Sequence, residues 1–331
     1  MTASNSNRSH AVAELAAGAA ARVAVIGSIN MDMVAHAHRL PGAGETLAGN
    51  DFVMAPGGKG ANQAVAAARL GATVDFIARI GTRQYGADLL ASLQAEGIAC
   101  AGVQTDATAL PGIAVIMVGR EGGGENAIVY VPGSNAQLSP ADVSGSAAAL
   151  QTAAVVVAQT EVPLAAIQQG FELARAGGAV TVLNAAPALP LSDALLAQVD
   201  WLVVNETEAL QLSGLQDTSV EGLRAAAQVL QLRGVKQVLV TLGAEGVLLC
   251  CAGHPAQQLP AFVVDAVDTV GAGDTFVGGL VTGLAEGRPA VDAVRLGQAA
   301  ASIAVARCGV QSAMPLRAEL PPEFAPQLAS A

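Results

Sequence analysis

The chain has 331 residues, a length that accommodates about two average domains or one large α/β unit. Hydrophobic residues make up 52% of it and charged residues only 13%, which excludes a disordered chain and predicts a large core. The formal net charge is -11, from 16 Lys and Arg against 27 Asp and Glu, and this excludes a protein that binds nucleic-acid phosphates through a basic surface.

The cysteines and the lengths of the apolar runs bear on where the protein is found. The four cysteines show no metal-ligand spacing, and the two adjacent ones are poor disulfide partners, so we expect a reducing, cytoplasmic environment. They are Cys100, Cys250, Cys251 and Cys308. No apolar run reaches the roughly 18 residues that span a bilayer. Residues 1–21 are rich in Ala and lack the Leu-rich core of a signal peptide, so we expect a disordered extension before an α/β domain at residues 22–331.

Short β-branched segments alternate with Ala- and Leu-rich segments along the chain, a pattern typical of a parallel sheet built from βαβ units. The predicted strands are residues 23–26, 74–80, 155–158, 180–183, 201–204 and 238–242. The predicted helices are residues 61–70, 84–96, 164–176 and 223–232. The strands are apolar throughout rather than alternating, which predicts a sheet covered on both faces.

Two segments interrupt this alternation. Residues 31–55 contain Pro and several Gly among short polar and apolar pieces, with no helical pattern. Residues 112–133 contain two strand-like runs around a Gly-rich turn at 119–124, which predicts a β-hairpin. Together they predict a small β-sheet lid inserted into the larger domain, and lids of this kind exclude water from a reaction.

The strongest motif is the run DTVGAGDTF at residues 268–276. Small residues at 271–273 followed by an apolar stretch predict a tight turn into a helix, whose free N–H groups and dipole favour anions. Asp274 at that helix start is suited to take a proton from a substrate hydroxyl. The alternative is that Asp274 only caps the helix.

Two further polar segments follow the same logic. The run GGKGANQA at residues 57–64 is not a Walker A loop, because Lys59 is followed by neither Ser nor Thr. Its glycines would let a polyhydroxylated ligand come close to the backbone, although a flexible hinge would have a similar sequence. Asn30 and Asp32 follow the first strand and are placed for sugar hydroxyls, and the glycines of a dinucleotide fingerprint are missing there.

Together these segments resemble the ribokinase family of carbohydrate kinases, also called the phosphofructokinase-B family. The resemblance covers residues 23–315 and rests on the two signatures at 57–64 and 268–279, with support from residues 41–46, 205–208 and 241–243. It implies a three-layer α/β/α domain with a mostly parallel central sheet and a small β-sheet lid. It also implies ATP-dependent phosphorylation of D-ribose at the 5-hydroxyl.

The resemblance gives the motif residues roles. Asp274 matches the general base, and Gly271, Ala272 and Gly273 match the anion hole for the phosphoryl group. The positions that match sugar-binding residues are Asn30, Asp32, Gly58, Lys59, Asn62, Glu161 and Asp274. Without the resemblance, Glu161 would be interpreted as an exposed loop acid.

The nucleotide side is implied in the same way. The matching positions are Asn205, Glu208, Thr241, Gly243, Gly273 and Gln298. The first two match an Asn-x-x-Glu motif that supports Mg²⁺-ATP through water, whereas on their own they predict a helix cap and a surface acid. Gln298 stands where the resemblance leads us to expect His or Asn near adenine.

The resemblance further implies a monovalent cation, usually K⁺, and a homodimer formed through the lid. The matching cation-ligand positions are Asp268, Val270, Ala304, Arg307, Gly309 and Ala313. Ala313 replaces an expected Ser, with Ser312 one residue earlier, so one ligand is predicted to be shifted or lost. A lid with an apolar face and open edges gives a physical reason for dimerisation.

Three other functions remain open at this point. Another kinase of the same family would act on deoxyribose or a nucleoside, although the 3% aromatic content disfavours an adenosine kinase. A non-catalytic sugar sensor would be expected to lack Asp274 or the turn before it, and both are present. A nicotinamide-dependent reductase is disfavoured by the missing Gly-x-Gly-x-x-Gly.

Overall fold

The computed structural model describes residues 21–119 and 126–325. Residues 1–20 of the expected extension at 1–21 and residues 120–124 of the hairpin turn lie outside the described residues. Ala21 is ordered instead, because it is buried and its carbonyl accepts a hydrogen bond from the Thr73 N–H at 2.8 Å. The strands are β1 (Arg22–Ile26), β2 (Asn30–Ala37), β3 (Asp51–Gly57), β4 (Thr73–Gly81), β5 (Ala99–Asp106), β6 (Gly112–Gly119), β7 (Asn126–Val131), β8 (Val155–Gln159), β9 (Val180–Asn184), β10 (Trp201–Asn205), β11 (Gln237–Thr241), β12 (Val247–Cys251) and β13 (Gln257–Leu259).

The helices alternate with these strands. They are α1 (Lys59–Arg69), α2 (Gly86–Ala95), α3 (Pro140–Ser144), α4 (Ala147–Thr152), α5 (Leu164–Ala176), α6 (Asp193–Leu196), α7 (Glu206–Ser213), α8 (Val220–Leu232), α9 (Ala272–Ala285) and α10 (Ala290–Val305). Among the helices of the described residues, none is long and apolar enough to cross a membrane.

The central sheet has the strand order β13-β12-β11-β10-β9-β8-β1-β4-β5. Its described pairs are parallel except β11–β12 and β12–β13. The chain builds the sheet outward from β1 in one direction through β4 and β5, and in the other through β8 to β11. The connection order therefore reverses between β1 and β8, and ligands of open α/β sheets bind in the crevice at the carboxyl ends of such strands.

The two faces of the sheet bury separate apolar cores. On β1, Ala24 and Ile26 join a core with Ile167 and Phe171 of α5. Val23 and Val25 point to the other face, where the core includes residues of α1 and α9. This alternation of buried residues explains why the strands are apolar throughout. The three-layer fold class is confirmed.

A second sheet with the order β3-β2-β6-β7 is formed by the segments that interrupt the βαβ pattern. Strand β2 pairs antiparallel with β3 and parallel with β6, and β6 forms the predicted hairpin with β7. The sequence analysis missed the strands β5, β12 and β13 and the helices α3, α4, α6 and α10. Strand β5 lies at the edge of the central sheet and is only partly buried, so it lacks the apolar run that identifies the central strands.

Candidate active site

Asp274 lies in the first turn of α9 and is only 8% exposed. The N-cap of this helix is Gly271, which has a left-handed conformation with φ 78°. A Cβ atom there would lie 2.6 Å from Val310 Cγ1, so the turn requires glycine for both its conformation and its packing. The Asp274 carboxylate is thus not the cap of α9, and it accepts hydrogen bonds from Asn62 Nδ2 at 2.9 Å and Gln63 Nε2 at 3.0 Å.

The backbone at the N-terminus of α1 packs closely against the backbone of the residues that follow β1. Gly58 has φ 92°, and a Cβ atom on it would lie 2.8 Å from the Asn30 backbone nitrogen. A Cβ atom on Gly60 would lie 2.5 Å from the Ser28 nitrogen. The glycines of this segment therefore serve close backbone packing, which brings Lys59 and the amide side chains of α1 to the carboxyl edge of the sheet.

Four carboxylates interact electrostatically with one ammonium group in this crevice, that of Lys59: they belong to Asp274, Glu161, Glu208 and Asp32. Burial raises the pKa of Asp32 to about 7, with further contributions from Glu161 and Asp274, against the lowering effect of Lys59. Burial also raises the pKa of Glu161. Burial alone would lower the pKa of Lys59, but Asp274 and Glu161 lead the surrounding carboxylates in raising it. The pocket thus offers charged acceptors and one charged donor to a ligand rich in hydroxyl groups.

Glu161 follows β8 and is held from two sides. Its Oε2 accepts hydrogen bonds from Ser28 Oγ at 2.5 Å and from the Lys59 backbone N–H at 3.2 Å. A carboxylate that is half-buried and fixed by two donors is not the exposed loop acid of the alternative interpretation. It faces the same pocket as Asp32 and Asp274, as their mutual electrostatic effects indicate.

Asn30 is 2% exposed, and its orientation is set by Asn135. Asn135 Oδ1 accepts from the Ile29 backbone N–H at 3.0 Å, so its Nδ2 donates to Asn30 Oδ1 at 2.8 Å and to Tyr130 Oη at 3.3 Å. Asn30 therefore has its own Nδ2 available to donate to a ligand. Tyr130 belongs to β7 and also donates to the Glu161 backbone carbonyl, at 3.3 Å, so it connects the second sheet to the pocket.

A separate cavity of about 470 Å³ opens on the other side of the α9 N-terminus. Its lining includes Thr241, Gly243, Ala272, Gly273, Phe276 and Gln298. A Cβ atom on Gly273 would meet no atom within 4 Å, so the space in front of this backbone is open. Gln298 borders the cavity with its polar atoms engaged, because Nε2 donates to the Leu259 carbonyl at 2.9 Å and Oε1 accepts from Arg295 at 3.0 Å.

Asn205 and Glu208 form a reciprocal cap at the start of α7. Asn205 Oδ1 accepts from the Glu208 backbone N–H, and Glu208 Oε2 accepts from the Asn205 backbone N–H, each at 2.8 Å. Burial raises the pKa of Glu208, partly offset by the Asn205 hydrogen bond and by Lys59. The capping role is therefore real, and it uses one carboxylate oxygen of Glu208 and leaves the second without a hydrogen bond among the described residues.

The positions that match cation ligands lie on two loops joined by Asp268. Its Oδ1 accepts from the Val270 N–H at 3.0 Å, and its Oδ2 accepts from the Gly309 N–H at 3.1 Å. Within the described residues, the backbone carbonyls of Val270, Arg307 and Gly309 accept no hydrogen bond. Oxygen ligands without partners suit a hard cation. Ala304 is a weaker match because its carbonyl accepts from the Arg307 N–H at 3.0 Å.

Ala313 lies in the short 3₁₀ helix Gln311–Ala313 and is 2% exposed. Its methyl group supplies no oxygen to the two loops. Ser312 is exposed, and its hydroxyl donates to the Cys308 carbonyl at 3.4 Å. The side-chain ligand that the resemblance implies at this place is thus missing from position 313.

The sequence analysis did not single out four buried amides beside the predicted site: Gln63, Asn135, Gln159 and Asn184. Gln159 and Asn184 are the last residues of the apolar strands β8 and β9. A polar residue that ends a buried strand is the signal by which Asn30 was found, so the same reasoning would have identified them. Gln63 follows Asn62 in the glycine-rich motif, but helical periodicity gave no reason to choose it.

The comparisons with known proteins agree with this geometry. The chain matches the pfkB family of carbohydrate kinases over residues 20–317. It is 41% identical over 295 residues to the ribokinase of Haemophilus influenzae, which covers 89% of this chain and 95% of that protein. It is 38% identical over 301 residues to the ribokinase of Staphylococcus aureus, which covers 90% and 98% respectively.

Solved structures give the same result. The structure of Arabidopsis thaliana ribokinase complexed with ribose and ATP has a TM-score of 0.82 and 31% sequence identity, over 91% of this chain and 97% of that one. Sequence and structure thus agree over nearly the whole described chain. The protein therefore belongs to the pfkB family of carbohydrate kinases and is an enzyme of that family.

Proposed function

We propose that this protein catalyses the ATP-dependent phosphorylation of D-ribose at its 5-hydroxyl, giving D-ribose 5-phosphate and ADP. The observation that carries the proposal is the position of Asp274. Its carboxylate belongs to the pocket of Asp32, Glu161 and Lys59, whereas Ala272 and Gly273, just before it, line the adjoining cavity. A hydroxyl held in the pocket would therefore meet a phosphoryl group held in the cavity. Relatives named ribokinase, one of them complexed with ribose and ATP, support these substrates.

Asp274 acts as the general base. It takes the proton of the 5-hydroxyl while that oxygen attacks the γ-phosphorus, and the bond from the γ-phosphorus to the β,γ-bridging oxygen breaks to release ADP. The backbone N–H groups at Gly271 and Gly273 and the dipole of α9 stabilise the charge on the transferred group. The Ala272 N–H joins them by giving up its bond of 3.3 Å to the Thr269 carbonyl. Most of the rate enhancement comes from this positioning and charge stabilisation.

The sugar is recognised through its hydroxyl groups. Asp32 and Glu161 accept hydrogen bonds from them, and Lys59 and the Nδ2 groups of Asn30 and Asn62 donate to ring or hydroxyl oxygens. Gly58 packs against the Asn30 backbone, where a Cβ atom would clash, so it would take part in the sugar site only through its own backbone. A site built to pair every hydroxyl rejects analogues that lack one, so 2-deoxyribose should be the poorer substrate.

The nucleotide occupies the cavity beside α9, near Thr241, Gly243 and Gln298. ATP-dependent kinases require a divalent metal ion, and Mg²⁺ neutralises charge on the phosphates when it is bound. Glu208 fits a water-mediated role toward it because one of its oxygens is not used by the helix cap. Asn205 holds Glu208 in place through the same cap.

The loops joined by Asp268 would hold a monovalent cation, K⁺, which would supply positive charge toward the transferred phosphoryl group. The unpaired carbonyls of Val270, Arg307 and Gly309 are suited to hold it beside the anion hole. The contribution of Ala313 is limited to its backbone, which predicts weaker K⁺ activation than a Ser at this position would allow.

The protein also acts as a cytoplasmic homodimer in this proposal. The second sheet exposes large apolar side chains, among them Phe52 at 58%, Ile128 at 57% and Val129 at 60%. A second copy that covers this sheet would remove them from water and close the lid over the sugar. Sedimentation of a monomer at micromolar concentration would contradict the dimer.

A coupled ADP-release assay tests the function. We expect turnover with D-ribose that exceeds turnover with 2-deoxyribose or adenosine, and stimulation by KCl. The Asp274→Asn variant should bind D-ribose in a calorimetric titration yet lose about 10²–10⁴ in kcat. Near-normal kcat in that variant would remove Asp274 as the base. Ribose binding without any ADP release by the wild type would instead indicate a sugar sensor.

A further inference from the structure

Asp274 is held at the meeting point of two chains of side-chain amides. Asn62 Nδ2 donates to its Oδ2 at 2.9 Å, and Gln63 Nε2 donates to its Oδ1 at 3.0 Å. Each of these donors is itself held by another amide. Gln311 Nε2 donates to Asn62 Oδ1 at 3.0 Å, and Gln159 Nε2 donates to Gln63 Oε1 at 2.6 Å.

The direction of the Gln63 amide follows from groups that can only accept a hydrogen bond. Asn184 Nδ2 donates to the Val203 backbone carbonyl at 3.1 Å, so Asn184 Oδ1 faces Gln63 and accepts from Nε2 at 2.9 Å. The other Nε2 hydrogen goes to the Asp274 carboxylate, which is also an acceptor. Gln63 Oε1 then needs a donor, and Gln159 supplies it.

Burial separates these residues from the ligands. Gln63 and Gln159 are 0% exposed, so no molecule arriving from solvent can touch them. Any effect of Gln63 on turnover must therefore act through the residues that its amide contacts, and Asp274 is the one among them that belongs to the proposed catalytic site. Buried side-chain amides are costly unless their hydrogen-bonding capacity is used. The amide of Gln63 is fully used, through Asn184, Gln159 and Asp274, whereas Gln159 donates to Gln63 although its own Oε1 has no partner among the described residues.

We propose that Gln159 and Gln63 on one side, and Gln311 and Asn62 on the other, form two directional amide relays that hold the Asp274 carboxylate in the orientation needed to accept the sugar proton. The inference rests on the proposed function of Asp274. Each donor occupies one lone pair on a different carboxylate oxygen, so a lone pair on each remains for the substrate hydroxyl. When the carbonyl oxygen of a side-chain amide accepts a hydrogen bond, the hydrogen bond that the N–H group of the same amide donates also becomes stronger.

The two relays begin in different parts of the fold. Gln159 ends β8, deep at the carboxyl edge of the central sheet. Gln311 lies in the 3₁₀ helix Gln311–Ala313, directly after the loop with the proposed cation ligands. Arg69 of α1 donates to the Gln311 carbonyl at 2.5 Å and to the Met314 carbonyl at 3.0 Å, so this second relay is anchored to α1 as well.

Methionine substitutions test the relays because they keep the length of the side chain and remove its hydrogen bonds. We expect Gln63→Met to lower kcat about tenfold to a hundredfold with less than about a twofold change in KM for D-ribose, because a small misplacement of a reacting group has an effect of this size. Gln159 is linked to Asp274 by two successive hydrogen bonds through Gln63, so Gln159→Met should lower kcat several-fold with the same KM. Gln311→Met should also lower kcat several-fold, but with a rise in KM, because its partner Asn62 is a proposed sugar ligand. Gln228→Met, exposed on α8, serves as the control.

The double variant Gln63→Met/Gln159→Met decides whether the residues act as one relay. Its kcat should equal that of Gln63→Met, because Gln159 acts only through Gln63. The relay would be overturned if the losses of kcat in the two single variants multiplied in the double variant. It would also be overturned if the single variants folded and kept the wild-type kcat. If Gln63→Met does not fold, unchanged kcat in Gln159→Met overturns it alone. A wild type inactive on D-ribose would overturn the proposed function instead, so the two failures are distinguishable.

Discussion

Gly57 and Asp32 lie on the neighbouring strands β3 and β2, and a Cβ atom built on Gly57 would lie 2.0 Å from Asp32 Oδ2. The Asp32 carboxylate therefore fills the space where a side chain at position 57 would be. Because β2 and β3 belong to the second sheet, the pairing of these strands places the carboxylate that we propose to bind the sugar on the second sheet rather than on the central one.

The first prediction is that Gly57→Ala raises KM for D-ribose about tenfold or more, because the methyl group displaces a charged hydrogen-bond acceptor. The clash is with a side chain that can rotate, so the melting temperature should fall much less than in Gly60→Ala, whose Cβ atom meets backbone at 2.5 Å. Gly42→Ala is the matched control, because its nearest neighbour would be 3.6 Å away. Unchanged KM in Gly57→Ala would show that Asp32 does not bind the sugar.

The second prediction concerns pH and sugar binding. The pKa of Asp32 is raised to about 7 by burial and by Glu161 and Asp274. Asp32 accepts sugar hydroxyl protons best as a carboxylate, so KM for D-ribose should rise as pH falls below 7. In Asp32→Asn, KM should be higher throughout and its dependence on pH between 6 and 8 should flatten. Measurement of kcat/KM from pH 5.5 to 8.5 checks both, and an equally steep profile in the variant would assign the titration to another group.

The third prediction follows from the same raised pKa and concerns stability. In the unfolded chain Asp32 has its ordinary pKa of 3.8, and in the folded chain burial, Glu161 and Asp274 raise that pKa to about 7. The folded state therefore binds the proton more tightly, and stability decreases as pH rises from about 4 to 7 and is constant above. Asp32→Asn should melt several degrees above the wild type at pH 8, and the gap should narrow toward pH 4.5. A gap that does not depend on pH would contradict this account.

The fourth prediction separates the two roles of Glu208. Gln at this position keeps the reciprocal cap with Asn205, since Glu and Gln are both suited to it, but removes the charge. Glu208→Gln should therefore retain the melting temperature and lose about tenfold or more in kcat/KM for Mg²⁺-ATP. Titration of MgCl₂ at fixed ATP measures the effect. If Glu208→Gln is fully active while Glu208→Ala is destabilised, Glu208 is a cap and nothing more.

Some features of this protein can be predicted from the local sequence and others cannot, as Gly271 and Gln63 illustrate. Gly271 stands out because a tight turn into a helix with a following acid is a local pattern, and the structure places it in the left-handed region as that pattern requires. The central strands, such as β8, were found because burial on both faces leaves an apolar run.

Gln63 could not be chosen by such reasoning, because its importance comes from partners 121 and 211 residues away in sequence, Asn184 and Asp274. The same holds for Asn135, which reaches Ile29 across 106 residues. The sequence motifs predict the residues that face the ligand. Residues such as Gln63 and Asn135, which support them, can be identified only when the fold brings their distant partners into contact.

The fifth prediction concerns the cation loops. Asp268 joins them through the N–H groups of Val270 and Gly309, so Asp268→Ala should raise the K⁺ concentration for half-maximal activity and lower kcat at saturation. Asp265→Ala, an exposed acid on the same segment, is the control.

Ala313→Ser supplies a hydroxyl at the end of the 3₁₀ helix and should lower the half-saturating K⁺ concentration several-fold, because cation affinity grows with the number of oxygen ligands. If Ser312 already provides that ligand, Ser312→Ala will raise the requirement and Ala313→Ser will change little. Rates measured in KCl against NaCl at constant ionic strength distinguish these outcomes, and equal rates in both salts for all four variants would remove K⁺ from the proposal.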